Sequence, residues 1–329
     1  AEKYYDSVFG EVETESLPFP DVTGKAPEKG YLERKLTVAE DKILSCCEKL
    51  GVTPNILFTG VFGILMSRYS NSDDSLFSTI YNGRNDSRLE NTVCMLVKTL
   101  PVYCKFEAKT TIQAYMTELS EQLLSSMAND IFPFSDICAK YGFNSDLTFA
   151  YQAELSDDYP IGDTVARGHD LSLDMAKMPL LIQVREYNNE YVLTAEFRSD
   201  RYSDAFVAGM LEAYEAAMDS MLKNKYVSEV SILSENAVKK IAEFNDTACK
   251  YDRTKTISDR FAEMVQTIPD HTAVVFKDKK YTYKELDEIS DRLGKYIASR
   301  GIGTEDVVSI LIPRCEYMAI APMGVIKAG

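Results

Sequence analysis

The stretch from 51 to 84, GVTPNILFTGVFGILMSRYSNSDDSLFSTIYNGR, decides the fold. Thr53 followed by Pro54 marks a helix start, because the hydroxyl can accept from a first-turn amide and proline needs no donor at the first helical position. From Pro54 to Tyr69 the residues are apolar nearly all round, so this helix is expected inside a core. The turn NSDD follows. LFSTIY (76–81) then reads as a strand, and NGRNDSRLENT (82–92) as a loop marked by its glycine and asparagines. A buried helix passed by a short turn to a strand is an α/β arrangement.

Upstream, Thr37 and Glu40 form the pattern of a capping box for a helix with Ile43, Leu44, Cys47 and Leu50 on one side, ending at Gly51. Downstream, after the apolar VCMLV (93–97), Ile112, Tyr115, Met116, Leu119, Leu123 and Met127 recur at helical spacing. LTFAYQ, PLLIQVREY and YVLTAEF read as strands, the last two joined at Asn188 and Asn189 as a hairpin. A helix from near Ser203 carries Phe206, Met210, Tyr214, Met218 and Met221, a stripe that reads as core. Helices covering a sheet are the expected architecture.

Residues 223–256 are more polar and less periodic, which sets the domain boundary there. Beyond it TAVVFKDKKYTY reads as a hairpin. Thr282 and Glu285 then cap a helix bearing Leu286, Ile289, Leu293, Tyr296 and Ile297, closed by Gly301. Glu288 with Arg292 and Asp291 with Lys295 are spaced as i,i+4 pairs, VVSILI (307–312) as a buried parallel strand, and a last helix starts near Glu316. Strand, helix, strand, helix is the opening of an α/β fold, expected to be left unfinished at Gly329.

With 329 residues the chain is long enough for two domains, and its net charge of −15 argues against nucleic acid as a partner. Seven cysteines without a Cys-x-x-Cys pattern fit neither a disulfide framework nor a zinc site, which points to a reducing, cytoplasmic setting. No apolar run approaches the roughly 20 residues that span a bilayer, so no membrane partner is expected. Two histidines, His169 and His271, lack companions at metal-ligand spacing. His169 beside Asp170 admits a general-base role, with a loop histidine the better reading, and His271 sits in a turn before a strand. The acidic loops SDD (72–74) and SDDYP (156–160) read as solvated, and no Gly-rich nucleotide loop occurs. No catalytic, metal or cofactor-binding residue is assigned from these patterns.

Several segments nevertheless carry a resemblance. ILSENAVKKIAEFNDT (232–247), YTYKELDEISDRLGKYI (281–297) and VIKAG (325–329) resemble the linker and the first two adenylation motifs at the junction of a condensation domain with an adenylation (AMP-binding) domain in nonribosomal peptide synthetases. Upstream, GVTPNILFTGVFGILMSRYSNSDD, IYNGR and VCMLVKTLPV resemble the C-terminal lobe of a condensation domain, which has the chloramphenicol-acetyltransferase-like fold. The implied organisation is a condensation lobe over 1–224 with helices covering a mixed sheet, a linker over 225–256, and an incomplete α/β adenylation-domain start over 257–329.

The resemblance places Asn82, Gly83 and Arg84 on the loop that floors the substrate tunnel; Gly83 making the turn is the plain alternative. It places Val97, Thr99, Pro133 and Phe134 in tunnel-side motifs. Cys94, Leu96 and Lys98 stand where the fifth motif usually has a glycine, an aromatic and an asparagine. NDIFPFS lacks the usual His-Gln-Asp lead and closing Glu of the sixth, and the seventh is scarcely recognisable around Asn144 to Leu147. Residues from about Gln152 to His169 are either a latch crossing to another lobe or a long surface loop.

The implied parent activates an amino acid with ATP and magnesium, loads it on carrier-bound phosphopantetheine, and condenses two carrier-bound thioesters. Its partners are carrier (thiolation) domains and the N-terminal condensation lobe, which carries the His-His-x-x-x-Asp-Gly motif absent here. This chain alone is expected to catalyse neither step, and its unfinished sheet invites association. The alternative is a degenerate condensation domain that docks carriers as a scaffold. An epimerisation domain shares the lobe but does not normally lead into adenylation sequence.

Overall fold

Thr53 caps its helix as the sequence dictates, its hydroxyl accepting from Ile56 N at 3.4 Å, and the helix is buried from Ile56 to Ser67. The computed structural model describes every residue except 11, 13–15, 85, 90, 108, 145, 154–157, 168–174 and 188–189. Two units are distinguished, Ala1–Asn245 and Asp246–Gly329.

In chain order the first unit holds α1 (Glu2–Phe9), β1 (Lys29–Lys35), α2 (Glu40–Leu50), α3 (Pro54–Ser70), β2 (Asp74–Tyr81), β3 (Lys98–Lys105), α4 (Ile112–Ala128) and α5 (Phe134–Tyr141). It continues with β4 (Leu147–Gln152), β5 (Asp158–Ile161), β6 (Thr164–Arg167), β7 (Leu180–Tyr187), β8 (Glu190–Arg198), α6 (Asp204–Met221) and α7 (Glu235–Asn245). Six strands form one mixed sheet in the order β1-β8-β7-β4-β2-β3. β4 runs parallel to both its neighbours, and the other pairs are antiparallel. β3 lies at an edge, where Pro101 can sit without breaking a central ladder.

Helix α3 is apolar all round because it is covered all round, by β2 and β4 of the sheet and by α4 and α6. Phe62 stacks on Phe149 and meets Phe77 edge-on, each at 4.9 Å between centroids. Tyr115 and Tyr214, buried on α4 and α6, each donate to an α3 carbonyl, Gly60 O and Phe58 O, at 2.9 Å. A Cβ on Gly63 would lie 2.6 Å from the Tyr115 hydroxyl, so glycine lets the two helices approach. Each fully buried Leu or Phe of this helix stabilises the fold by about 1.5–3 kcal/mol. A second cluster forms where Tyr5 and Phe9 of α1 pack with Leu76 and Ile137, and Lys140 of α5 pairs with Glu2 and Asp6 at 2.7 Å.

The hairpin β7–β8 forms in register as expected, with its turn residues Asn188 and Asn189 outside the described residues. Ser203 caps α6. The Thr37–Glu40 capping box does not form: α2 starts after Ala39 with no side-chain cap, and the amide and hydroxyl of Thr37 donate instead to Glu215 of α6. A buried carboxylate gains more from these donors than an exposed helix end does. Leu44 is exposed, leaving Ile43 and Cys47 as the buried residues of α2. Part of the segment expected as a latch or plain loop is a hairpin, β5 with β6; His169 lies outside the described residues.

The second unit comprises α8 (Ile257–Thr267), β9 (Thr272–Phe276), β10 (Lys279–Thr282), α9 (Tyr283–Ser299) and α10 (Tyr317–Ala328). Thr282 and Glu285 form the expected reciprocal cap, and β9 pairs with β10. VVSILI is not a strand. It pairs with no described strand, and Val307 and Leu311 are almost fully exposed, because apolar composition without a neighbour supplies no ladder. The expected pairing of Asp291 with Lys295 is replaced: Lys327 of α10 reaches Asp287 and Asp291, both at 2.6 Å, and buries its stem beneath them. Among the described residues Glu288 and Arg292 form no ion pair, and Tyr296 faces outward beside Arg300. No single helix among the described residues is long and apolar enough to cross a membrane.

Candidate functional site: the loop after β2

β2 ends at Tyr81, and the chain reverses through Asn82, Gly83 and Arg84. The Asn82 carboxamide accepts from Arg84 N at 3.0 Å, a local turn that its short side chain favours. Gly83 sits at φ +69°, in the left-handed region, and a Cβ there would lie 2.0 Å from Leu96 O. Glycine is therefore required twice over, by conformation and by contact.

Arg84 turns inward on its own loop. One terminal nitrogen, Nη1, donates to Leu89 O at 2.6 Å and Thr92 O at 3.0 Å; the other, Nη2, donates to Cys94 O at 3.3 Å. The guanidinium fork thus satisfies three carbonyls that no ladder would reach. Beyond this clamp, Val93, Cys94, Met95 and Val97 are exposed, and only Leu96 is half-buried. Leu96 between them brings its carbonyl over Gly83.

At Lys98 the chain enters β3, where Thr99 lies opposite Ile80 of β2. Lys98 Nζ pairs with Asp130 Oδ1 at 3.0 Å and donates to Asp130 O at 3.1 Å, reaching the turn between α4 and α5. Pro133 caps α5 in extended geometry, and Phe134 opens that helix with its ring 6.4 Å from Phe143. The structure therefore joins Asn82–Arg84 to 94–96 directly, and the start of β3, between Val97 and Thr99, to the turn before Pro133 and Phe134 through Lys98. The clamp and the ion pair carry no sequence signature, because both depend on where carbonyls point after the loop has closed.

Other features lie apart from this loop. A cavity of about 360 Å³ is lined by Ser16, Leu76, Tyr141, Phe143, Asn144 and Asp146, at the position of the weak seventh motif. A larger groove of about 630 Å³ lies beside Arg34, Lys42, Glu212, Asp219 and Asn236. At its base Glu215 accepts from Thr37 and, at 2.7 Å, from Arg34 Nε. Burial pushes the Glu215 carboxyl up, yet the Thr37 and Arg34 donors outweigh it and hold the carboxyl below its usual range. Cys104 is pushed up to about 12 by burial, which marks a packing thiol and not a nucleophile. Asp74 accepts from Ser72 and Tyr103, so the SDD turn serves the fold. His271 is exposed in its turn. Among the described residues no group of three or more His, Cys, Asp or Glu side chains is placed to hold a metal ion.

Comparison with known proteins bears on this loop. A family model described as Condensation domain matches residues 2–242, and one described as AMP-binding enzyme matches 261–329. The chain is similar to gramicidin S synthase 2 of Brevibacillus brevis, 27% identical over 300 residues, covering 88% of this chain and 7% of that protein. It therefore spans less than a tenth of that relative's length. A four-domain nonribosomal peptide synthetase bound to AMP and glycine superposes with a TM-score of 0.69 at 16% identity, covering 98% of this chain and 27% of that one. A complex of the X-domain and OxyB from teicoplanin biosynthesis superposes with a TM-score of 0.59 at 14% identity, covering 71% of this chain and 55% of the other.

Proposed function

The chain belongs to the condensation-domain family of nonribosomal peptide synthetases, and from that premise we propose that it is the second lobe of a condensation domain with the start of an adenylation domain behind it. The observation that carries this is the order of the two matches, condensation then AMP-binding, on one continuous chain. We take 1–224 as the lobe, 225–256 as the linker and 257–329 as the adenylation start.

In this reading the whole protein condenses two carrier-bound thioesters: the acceptor amine attacks the donor carbonyl, a C–N bond forms, and the donor's carrier leaves as the thiol. The rate gain comes mainly from holding both pantetheine arms in one passage, which turns an encounter into an intramolecular step. The residues of this chain shape that passage. Asn82, Gly83 and Arg84 set the floor, and Val97, Thr99, Pro133 and Phe134 one wall. None of them is a proton-transfer group at neutral pH, so the chain's part is positioning.

The whole protein would also use ATP and magnesium to activate its amino acid. The described residues supply neither a Gly-rich phosphate loop nor a carboxylate cluster, so no step of that reaction is assigned to them. Its partners are carrier domains and the N-terminal condensation lobe, and the compartment we assign is the cytoplasm, in keeping with seven free cysteines. Amino-acid-dependent ATP–pyrophosphate exchange by the whole synthetase, absent from residues 1–329 alone, is the expected result. Exchange by residues 1–329 would refute this division of labour.

A scaffold reading has support in the motif departures at Cys94, Leu96, Lys98 and the lead of NDIFPFS. A protein of that kind would bind loaded carriers and form no peptide.

A further inference from the structure

Helix α4 ends without a basic residue in its last turn, so the negative pole of its dipole has no cation of its own. Lys98 supplies one from the sheet, 32 positions earlier in the chain. Its two contacts with Asp130 differ in kind. The 3.0 Å pairing to Oδ1 fixes the side chain, while the 3.1 Å hydrogen bond to the carbonyl oxygen fixes the backbone of the turn. The same turn is also held by packing: the Phe132 ring lies 6.0 Å from that of the fully buried Tyr5. The turn is thus held by both an ion pair and an aromatic contact.

We propose that Lys98 and Asp130 are a positioning pair for peptide-bond formation, tying the start of β3, with Val97 just before it and Thr99 within it, to the turn that leads into Pro133 and Phe134. This rests on the proposed function, in which those four residues wall the substrate passage. Neither member of the pair touches the reacting atoms; the pair sets the separation of the two segments that do the lining. It also changes how the motif departures are read. Lys98 and Asp130 both fall at departing positions, and they face each other as cation and anion.

Hydrogen–deuterium exchange on the 329-residue chain reads the tie directly, at 93–97 and at 129–132. Partly exposed ion pairs are worth little, so Lys98→Met and Asp130→Asn each raise exchange in both segments about two- to fivefold. Lys98→Arg keeps exchange near the parent's, and exchanging the pair, Lys98→Asp with Asp130→Lys, restores most of it. In the intact synthetase the two single variants lower kcat for peptide-bond formation by a similar factor and leave KM for the aminoacyl carrier unchanged, while Lys98→Arg retains kcat.

Unchanged exchange in both single variants overturns the tie. Raised exchange with unchanged kcat overturns its positioning role. A parent synthetase that forms no peptide bond overturns the proposed function and the positioning role together, whereas the tie itself stands or falls on exchange alone.

Discussion

Replacing Gly83 by alanine is the sharpest perturbation of the loop after β2. The residue sits at φ +69°, where an L-residue loses roughly 1–2 kcal/mol. The added Cβ would stand 2.0 Å from Leu96 O and 2.9 Å from Leu96 C, and both are backbone atoms with no rotamer to escape into. Leu96 must therefore retreat by about 1 Å or more to reach van der Waals distance. Cys94, two residues earlier, accepts from Arg84 at 3.3 Å, and such a retreat takes that hydrogen bond beyond its range. Losing one charged-donor hydrogen bond adds about 1.5–3 kcal/mol, for a total of about 2.5–5 kcal/mol.

Gly142 is the control. It has nearly the same φ, +75°, but nothing lies within 4 Å of its would-be Cβ, so Gly142→Ala carries the conformational cost alone. Native-state hydrogen exchange at 93–97 should then rise by about 100-fold or more in Gly83→Ala and stay at parental values in Gly142→Ala. Urea unfolding of both variants separates the local loss from a global one. Equal and small effects at the two glycines would refute the contact argument, leaving only the left-handed backbone.

Other consequences follow from the buried charges. Glu215→Ala should cost about 1–3 kcal/mol in urea unfolding, because it leaves the Thr37 amide without its acceptor, while Arg34 is partly exposed and keeps Glu212 at 3.9 Å. The folded-state pKa of Glu215 is depressed, so its contribution is complete above the unfolded carboxylate pKa of about 4.3 and is lost as pH falls through the lower folded value. The gap between parent and variant should therefore be constant from pH 5 to 7 and shrink below about pH 4; a gap that widens on acidification contradicts the assignment. Lys327→Met leaves Asp287 and Asp291 as like charges one helical turn apart, and should speed limited proteolysis within 257–329. Adding Asp287→Asn and Asp291→Asn should slow it again, and no recovery would show that Lys327 acts through its packing alone.

The elements legible in the sequence are those whose cause is local. Thr53–Pro54, Ser203 and Thr282–Glu285 announce helices that form as read, and short apolar runs in LTFAYQ and the β7–β8 pair suffice for strands. The edge strands were not legible. β1 (KGYLERK) is largely polar, and β3 contains Pro101, so neither shows the pattern of a central strand. The order of the sheet, with β4 inserted between β2 and β7, arises from long-range packing that no window of sequence contains. VVSILI erred the other way, since strand composition was present and a partner strand was not.

The candidate site divides along the same line. Asn82-Gly83 was readable as a turn, because turn chemistry is a property of the residues themselves. Arg84 is placed on the same loop by resemblance, and what no sequence pattern shows is that its guanidinium holds the loop together through the Leu89, Thr92 and Cys94 carbonyls. Lys98 shows in the sequence only as a departure from a motif, and its pairing with Asp130 depends on the turn between α4 and α5 that brings the two together.

Condensation itself is read by intact-protein mass spectrometry of the acceptor carrier in the whole synthetase, after both carriers have been loaded with their amino acids. The acceptor should gain the mass of a peptidyl thioester while the donor returns to the free thiol. Two carriers that stay loaded and bound, with no peptidyl mass on either, would contradict it and leave a docking scaffold.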